Sequence, residues 1–293
     1  MITQEKAKAK LNLALKIKGK SGAYHLLDGV AVTVNLFDRV IVKTRRDKKI
    51  ILKTRGLPLE KQCDYVPEKD NAYKAAKLYC EKCGTSGAEI TLYKNIPMSG
   101  GMGGSSTDAA AVLRAMERLY KSGADLKDLA NALGSDTAYL LEGGACRLRG
   151  RGEIITPVNI KNDIYFSVCF LSSGVDTGEC FNLFDEKFLM PPQNDAAAES
   201  ADNGLIDRLI SGLESGTPDF SLFENDLYAP AKSILPEIEN ALESYKSLSP
   251  SVALMTGSGS TVFAIFETKE LCDWATDKMR KKGFNAQTLK TDI

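Results

Sequence analysis

The stretch of this sequence that most constrains its fold runs from Pro97 to Ala110, Pro-Met-Ser-Gly-Gly-Met-Gly-Gly-Ser-Ser-Thr-Asp-Ala-Ala. Four glycines, Gly100, Gly101, Gly103 and Gly104, remove Cβ atoms where a backbone must bend and approach a ligand. Ser105, Ser106 and Thr107 follow. A helix is predicted from about Ser106 to Tyr120, because Ala109, Val112, Leu113, Met116 and Tyr120 share one face. A helix start presents free N–H groups and positive partial charge. Glycines ahead of it can set further N–H groups into an anion nest. This chemistry suits a triphosphate. The plainer reading is a flexible loop closed by a Ser/Asp cap. Two familiar nucleotide loops are excluded. A Walker loop needs Gly-Lys-Ser/Thr, and no lysine follows these glycines. A dinucleotide fingerprint counted from Gly101 and Gly103 needs a third glycine where Ser106 stands.

Around this loop the chain reads as α+β. Alternation over 9–18 puts Leu11, Leu13, Leu15 and Ile17 on one strand face. Strands are also predicted at 30–36, 39–43, 50–53 and 89–93, with a helix over 71–80. Short helices at 126–132 and 136–141 precede strands at 145–148, 153–157 and 164–171. Residues 187–204, with Pro191-Pro192 and no periodicity, read as a loop. Pro236 suits the first turn of a helix whose stripe is Ile238, Ala241, Leu242 and Tyr245. Strands at 252–255 and 261–266, a helix carrying Leu271, Trp274, Ala275 and Met279, and a strand at 285–289 close the chain. Helices packed on one sheet face are expected for the second half.

Lys and Arg together number 38, as do Asp and Glu, which argues against a nucleic-acid scaffold working by counterion release. The N-terminus is polar and no apolar run is long enough for a bilayer, so no membrane association and a cytoplasmic home are expected. The seven cysteines are odd in number and scattered, which fits a reducing compartment. Cys80-Glu-Lys-Cys83 lacks a second pair at ligand spacing and reads as two helix-end thiols; no metal site is expected from the side chains.

Two further segments have chemistry in reach. Thr256-Gly257-Ser258-Gly259-Ser260 is either a hairpin turn or a second glycine loop facing the first. In Gly134-Ser135-Asp136 the carboxylate either caps a short helix or serves as an acid/base in a transfer reaction.

Three segments, Ala9-Lys-Leu-Asn-Leu13, Pro97 to Ala110 and Met255 to Phe263, resemble the GHMP kinases. Ala23-Tyr24-His25, Leu133-Gly-Ser-Asp136 and Asn71-Ala-Tyr-Lys-Ala75 extend the likeness toward members that phosphorylate a cytidine diphosphate-linked sugar alcohol in non-mevalonate isoprenoid synthesis. The resemblance implies a two-domain GHMP kinase fold, an N-terminal ribosomal protein S5-like domain over 1–158 and a C-terminal ferredoxin-like domain over 159–293, with the active site between them. It implies ATP with Mg2+ as cofactors and a small-molecule substrate. The phosphates would lie along Pro97, Gly100, Gly101, Gly103, Gly104, Ser105, Ser106 and Thr107. Asp136 would accept the proton of the substrate hydroxyl, and Lys10 would hold that hydroxyl and the moving phosphoryl. Asn12, Tyr24, His25, Thr177, Phe181, Gly257, Ser258 and Gly259 would hold the substrate, with Phe181 stacked on its base. The chain is expected as a monomer or homodimer. Ala23, Ser99, Met102 and Ser105 depart from the family pattern, which has glycine at 23, 99 and 105 and leucine at 102. A kinase of another small alcohol, of mevalonate or homoserine type, and a non-catalytic homologue are the competing readings.

Overall fold

A computed structural model of the protein describes residues 1–56, 65–187 and 204–293. The loop predicted over 187–204 therefore lies, but for its two end residues, outside the described residues. The chain folds as two compact units built from alternating segments. One holds Met1–Ala9, Leu36–Met98 and Gly103–Gly143; the other holds Lys10–Asn35, Ser99–Met102 and Gly144–Ile293.

Strands β1 (Ile2–Ser21) and β2 (Tyr24–Thr44) form a hairpin about the two-residue turn Gly22-Ala23. Each contributes one part to either unit. The two strands predicted at 30–36 and 39–43 are thus one strand. The sequence suggests a break because Asp38 interrupts the apolar run, yet Asp38 is fully buried within β2.

In the first unit, the second half of β2 pairs antiparallel with β4 (Ala88–Tyr93), and β4 pairs parallel with β3 (Ile51–Arg55). Among the described residues, four helices pack on one another: α1 (Asn71–Cys83), α2 (Gly104–Tyr120), α3 (Leu126–Leu133) and α4 (Ser135–Glu142). In α1, Asp70 caps the Ala72 amide and Ala72, Ala75, Ala76 and Tyr79 turn inward at helical spacing. Gly84, at φ 66°, ends the helix, so Cys80 and Cys83 sit in its last turn.

In the second unit, the first half of β2 pairs with β5 (Ala145–Gly150), which pairs with β6 (Ile154–Pro157), both antiparallel. A separate four-stranded antiparallel sheet has the order β10-β7-β9-β8, from β7 (Tyr165–Phe170), β8 (Val252–Met255), β9 (Val262–Ile265) and β10 (Asn285–Lys290). Among the described residues, five helices belong to this unit: α5 (Thr177–Lys187), α6 (Leu205–Ser215), α7 (Tyr228–Ile234), α8 (Glu237–Lys246) and α9 (Lys269–Lys281). Helix α9 lies against β10 and β7, and α8 against β8 and β9. That strand order is ferredoxin-like, as expected. Its core joins Tyr245, Met255, Val262, Ala264, Cys272 and Met279, all fully buried. Helix α5 is absent from the sequence reading, because the apolar residues of 177–187 are few and broken by Gly178 and Asn182.

Candidate functional site

The glycine loop is pinned at both ends. Helix α2 opens at Gly104, two residues before its predicted start, with Gly103 in the N-cap position and no capping side chain. The first backbone bond that closes the helix runs from the Thr107 amide to Gly103 O at 2.9 Å. The amides ahead of it therefore stand without a cap, the arrangement that attracts anions. Ser105 is exposed and Ser106 partly so, while Thr107 is buried.

The preceding residues, Ser99–Met102, lie against the second glycine segment. Thr261 donates its amide to Gly100 O at 3.2 Å. Gly101 has φ 74°, and a Cβ there would collide with Thr256 O. A Cβ on Gly257, at φ 57°, would lie 2.6 Å from Gly101 O. Both glycines are required because two backbones touch. The stretch from Thr256 to Ser260 is thus at once the β8–β9 connection and a loop facing the first one. Ser99, one of the departures noted above, has φ 55°. Its side chain has room because residue 174 is glycine, where a Cβ would strike that of Ser99.

Lys10 and Asn12 lie on the β1 face opposite Leu11 and Leu13, and both faces are buried there. A strand lysine is usually solvated; Lys10 is 5% exposed and donates to Asn12 Oδ1. Asn12 in turn donates its amide to Thr256 Oγ1 at 2.9 Å, and Lys10 its amide to Met102 O at 3.0 Å. Asn225 locks the same region and is missed by sequence reasoning, since an isolated asparagine before a helix carries no motif. Its Nδ2 donates to Met255 O and Gly257 O, each at 2.8 Å, and its Oδ1 accepts from the Leu227 amide at 2.9 Å. Asn225→Leu is expected to destabilise the protein by about 2–3 kcal/mol, because it orphans two buried carbonyls and an amide. Chemical denaturation checks this, and a change below about 0.5 kcal/mol would contradict it.

Helix α5 gathers the remaining second-unit candidates in one stripe. Thr177, Phe181 and Asp185 recur at intervals of four, so they stack on one face over about 12 Å. Thr177 Oγ1 meets Ser258 Oγ at 2.9 Å. The Phe181 ring lies 4.5 Å from the His25 ring, tilted by 31°. Asp185 accepts from His25 Nε2 at 2.6 Å and from Lys20 Nζ. Burial alone would push the Asp185 carboxyl up, but these two hydrogen bonds outweigh it and hold the group below the usual carboxylate range. Tyr24 is exposed, with the Arg151 guanidinium 4.9 Å from its ring centre.

In the first unit Asp136 stands in the first turn of α4. Gly134 is the N-cap, with φ 146°, and no side chain caps the helix. The capping role therefore does not fall to Asp136, and among the described residues no hydrogen bond or ion pair engages its carboxylate. The same unit holds a buried charge cluster. Lys94 donates to both Asp38 and Asp108. Asp38 also accepts from the amides of Asn95 and Ile96. Gly104 packs beside Ile96 and Lys94, a Cβ there lying 3.2 Å from Ile96 Cγ2 and 3.8 Å from Lys94 Nζ.

A helix start without a side-chain cap, and glycines where backbones approach closely, are each features that suit the binding of a phosphate chain. The family model for the GHMP kinases N terminal domain matches residues 70–146, and that for GHMP kinases C terminal matches 196–285. The chain belongs to the GHMP kinases, ATP-dependent kinases of small molecules. Its relatives narrow the class. It is 32% identical over 284 residues to the 4-diphosphocytidyl-2-C-methyl-D-erythritol kinase of Clostridium beijerinckii, covering 94% of this chain and 95% of the relative. It is 33% identical over 294 residues to the enzyme of that name from Clostridium tetani, covering 98% and 99%. A crystal structure of 4-(cytidine 5'-diphospho)-2C-methyl-D-erythritol kinase superposes with a TM-score of 0.79 at 27% identity, covering 99% of this chain and 100% of that one.

Proposed function

We propose that this protein transfers the terminal phosphoryl group of ATP to the 2-hydroxyl of 4-diphosphocytidyl-2-C-methyl-D-erythritol. The observation that carries this is the full-length identity of 32–33% to relatives of that name. The α5 stripe supports it, since Phe181 and His25 form an aromatic pair suited to a flat base. Stacking of a base on an aromatic ring contributes about 1–3 kcal/mol.

The residues present fit ATP. The start of α2 offers amides without a side-chain cap. Among the described residues no cluster of three or more His, Cys, Asp or Glu side chains could hold a metal ion. Mg2+ would therefore be held largely through the phosphates, with Ser105 or Ser106 as hydroxyl partners, and when bound it would supply charge neutralisation on the polyphosphate. The chain's own groups do the rest. Asp136 accepts the proton of the substrate hydroxyl. Lys10, oriented by Asn12, places positive charge on that hydroxyl and on the phosphoryl oxygens. The first amides of α2, following Gly103 and Gly104, position the phosphate chain, with Pro97 leading into the loop and Thr107 anchoring its end. Thr177, Ser258 and the backbone of Gly257 and Gly259 orient the sugar alcohol. Phosphoryl transfer needs little more than such positioning and charge stabilisation.

Purified protein with Mg-ATP should release ADP when 4-diphosphocytidyl-methylerythritol is added, and not with mevalonate or homoserine. Cytidine diphosphate should inhibit in competition with the alcohol substrate. No ADP release with the cytidyl substrate would end this reading. Turnover of mevalonate or homoserine without inhibition by cytidine diphosphate would favour a sister kinase.

A further inference from the structure

The contact between His25 and Asp185 has a consequence for which base the site accepts. A hydrogen bond of 2.6 Å between Nε2 and a carboxylate oxygen needs one hydrogen between them. Lys20 and His25 keep Asp185 ionised, so the hydrogen belongs to Nε2. In the neutral ring that leaves Nδ1 with a lone pair and no hydrogen. Among the described residues no group is hydrogen-bonded to Nδ1. The ring is held in place as well as in tautomer. Phe181 lies 4.5 Å away on the same face of α5 that carries Asp185, and the His25 side chain is only 13% exposed. Orientation of a histidine through its far nitrogen is a general device for choosing what its near nitrogen does.

We infer that Asp185 is a positioning residue that fixes His25 as a hydrogen-bond acceptor and thereby selects a base bearing an exocyclic amine, such as cytosine, over one bearing a carbonyl there, such as uracil. The inference rests on the cytidyl reading given above. An amine donates to Nδ1; a carbonyl oxygen would face a lone pair with another lone pair. A buried site that leaves such a group unpaired rejects the wrong ligand more strongly than a merely apolar pocket does. Losing one such hydrogen bond costs about tenfold in binding.

The chain has a single histidine, so its ring nitrogens can be observed without ambiguity. Long-range proton–nitrogen correlation on histidine-labelled protein at pH 8 should show hydrogen on Nε2 alone, and cytidine diphosphate should shift the Nδ1 signal. In turnover assays the uridine analogue of the substrate should show a KM at least about tenfold above that of the cytidyl substrate. Asp185→Asn keeps the shape but can donate as well as accept. It should mix the tautomers, raise KM for the cytidyl substrate about tenfold with kcat within about twofold, and bring the cytidine-to-uridine ratio toward one. A wild-type ring carrying its hydrogen on Nδ1, or an Asp185→Asn protein with undiminished base preference, overturns the inference while leaving the cytidyl reading intact. Cytidine diphosphate that neither shifts the ring signals nor inhibits turnover overturns both.

Discussion

Asp136→Asn should lower kcat by about 10²- to 10⁴-fold while leaving KM for both substrates within about threefold. Asparagine keeps the size and one oxygen of the side chain but cannot take a proton from the attacking hydroxyl. The structure makes the comparison clean. Asp136 stands in the first turn of α4 behind Gly134 at the N-cap, and its carboxylate bonds to no described residue. Its only structural contribution is the favourable placement of a negative charge at a helix start, worth about 0.3–1 kcal/mol. The melting temperature should therefore shift by no more than about 2 °C. A large loss of kcat with an unchanged melt identifies a proton acceptor. A protein that melts several degrees lower and loses activity in proportion would give Asp136 a structural role in place of a catalytic one. Retained turnover would remove it from the chemistry altogether, and attention would pass to Lys10, whose buried ammonium is oriented by Asn12.

The legibility of these parts in the sequence follows from how far apart the interacting residues lie. The glycine loop, the apolar stripe of α2 and the strand face of Leu11, Leu13 and Leu15 are local patterns, and each was readable. The ferredoxin-like order of the second sheet was expected only through resemblance, because strand pairing such as β10 with β7 joins residues more than a hundred positions apart. Residues that act across such distances carry no local signal. Asn225 reaches Gly257 from 32 positions away, and Asp185 meets His25 across 160. Two signals were nevertheless present. Thr177, Phe181 and Asp185 repeat every four residues, which marks one helical face. Asp38 interrupts an apolar run, and a charged residue inside an otherwise buried strand announces a partner elsewhere. That partner, Lys94, sits at the entrance to the glycine loop, three residues before Pro97.

Lys94→Met carries the largest expected effect on stability, about 3–5 kcal/mol, or on the order of 10 °C in melting temperature. Methionine matches the length of the lysine stem, so the loss is one of charge rather than of packing. Lys94 is held fully charged: burial opposes the ammonium, but Asp108 and Asp38 together outweigh it. Without the cation, Asp38 keeps the amides of Asn95 and Ile96, whereas Asp108 loses the one partner its Oδ2 has. Its Oδ1 already has none. Burial pushes the Asp108 carboxyl well above the usual carboxylate range even beside Lys94. A carboxyl whose folded pKa exceeds its unfolded value favours folding at low pH and loses that contribution as pH rises through the folded pKa. The deficit of the variant should accordingly be largest at neutral to alkaline pH and shrink as pH falls toward about 4, the ordinary aspartate range. Adding Asp108→Asn to Lys94→Met should restore part of the loss at pH 8, since the second change removes a buried charge that the first left unpaired. Thermal melts of the three proteins at pH 5 and pH 8 decide the matter. A single variant that melts within about 2 °C of the parent at both values would mean that the cluster contributes no net stability. Because Gly104 packs beside Lys94, the same variant should bind ATP more weakly by a factor larger than its melt at the assay temperature accounts for. The start of α2 would then have lost the side chain that holds it in place.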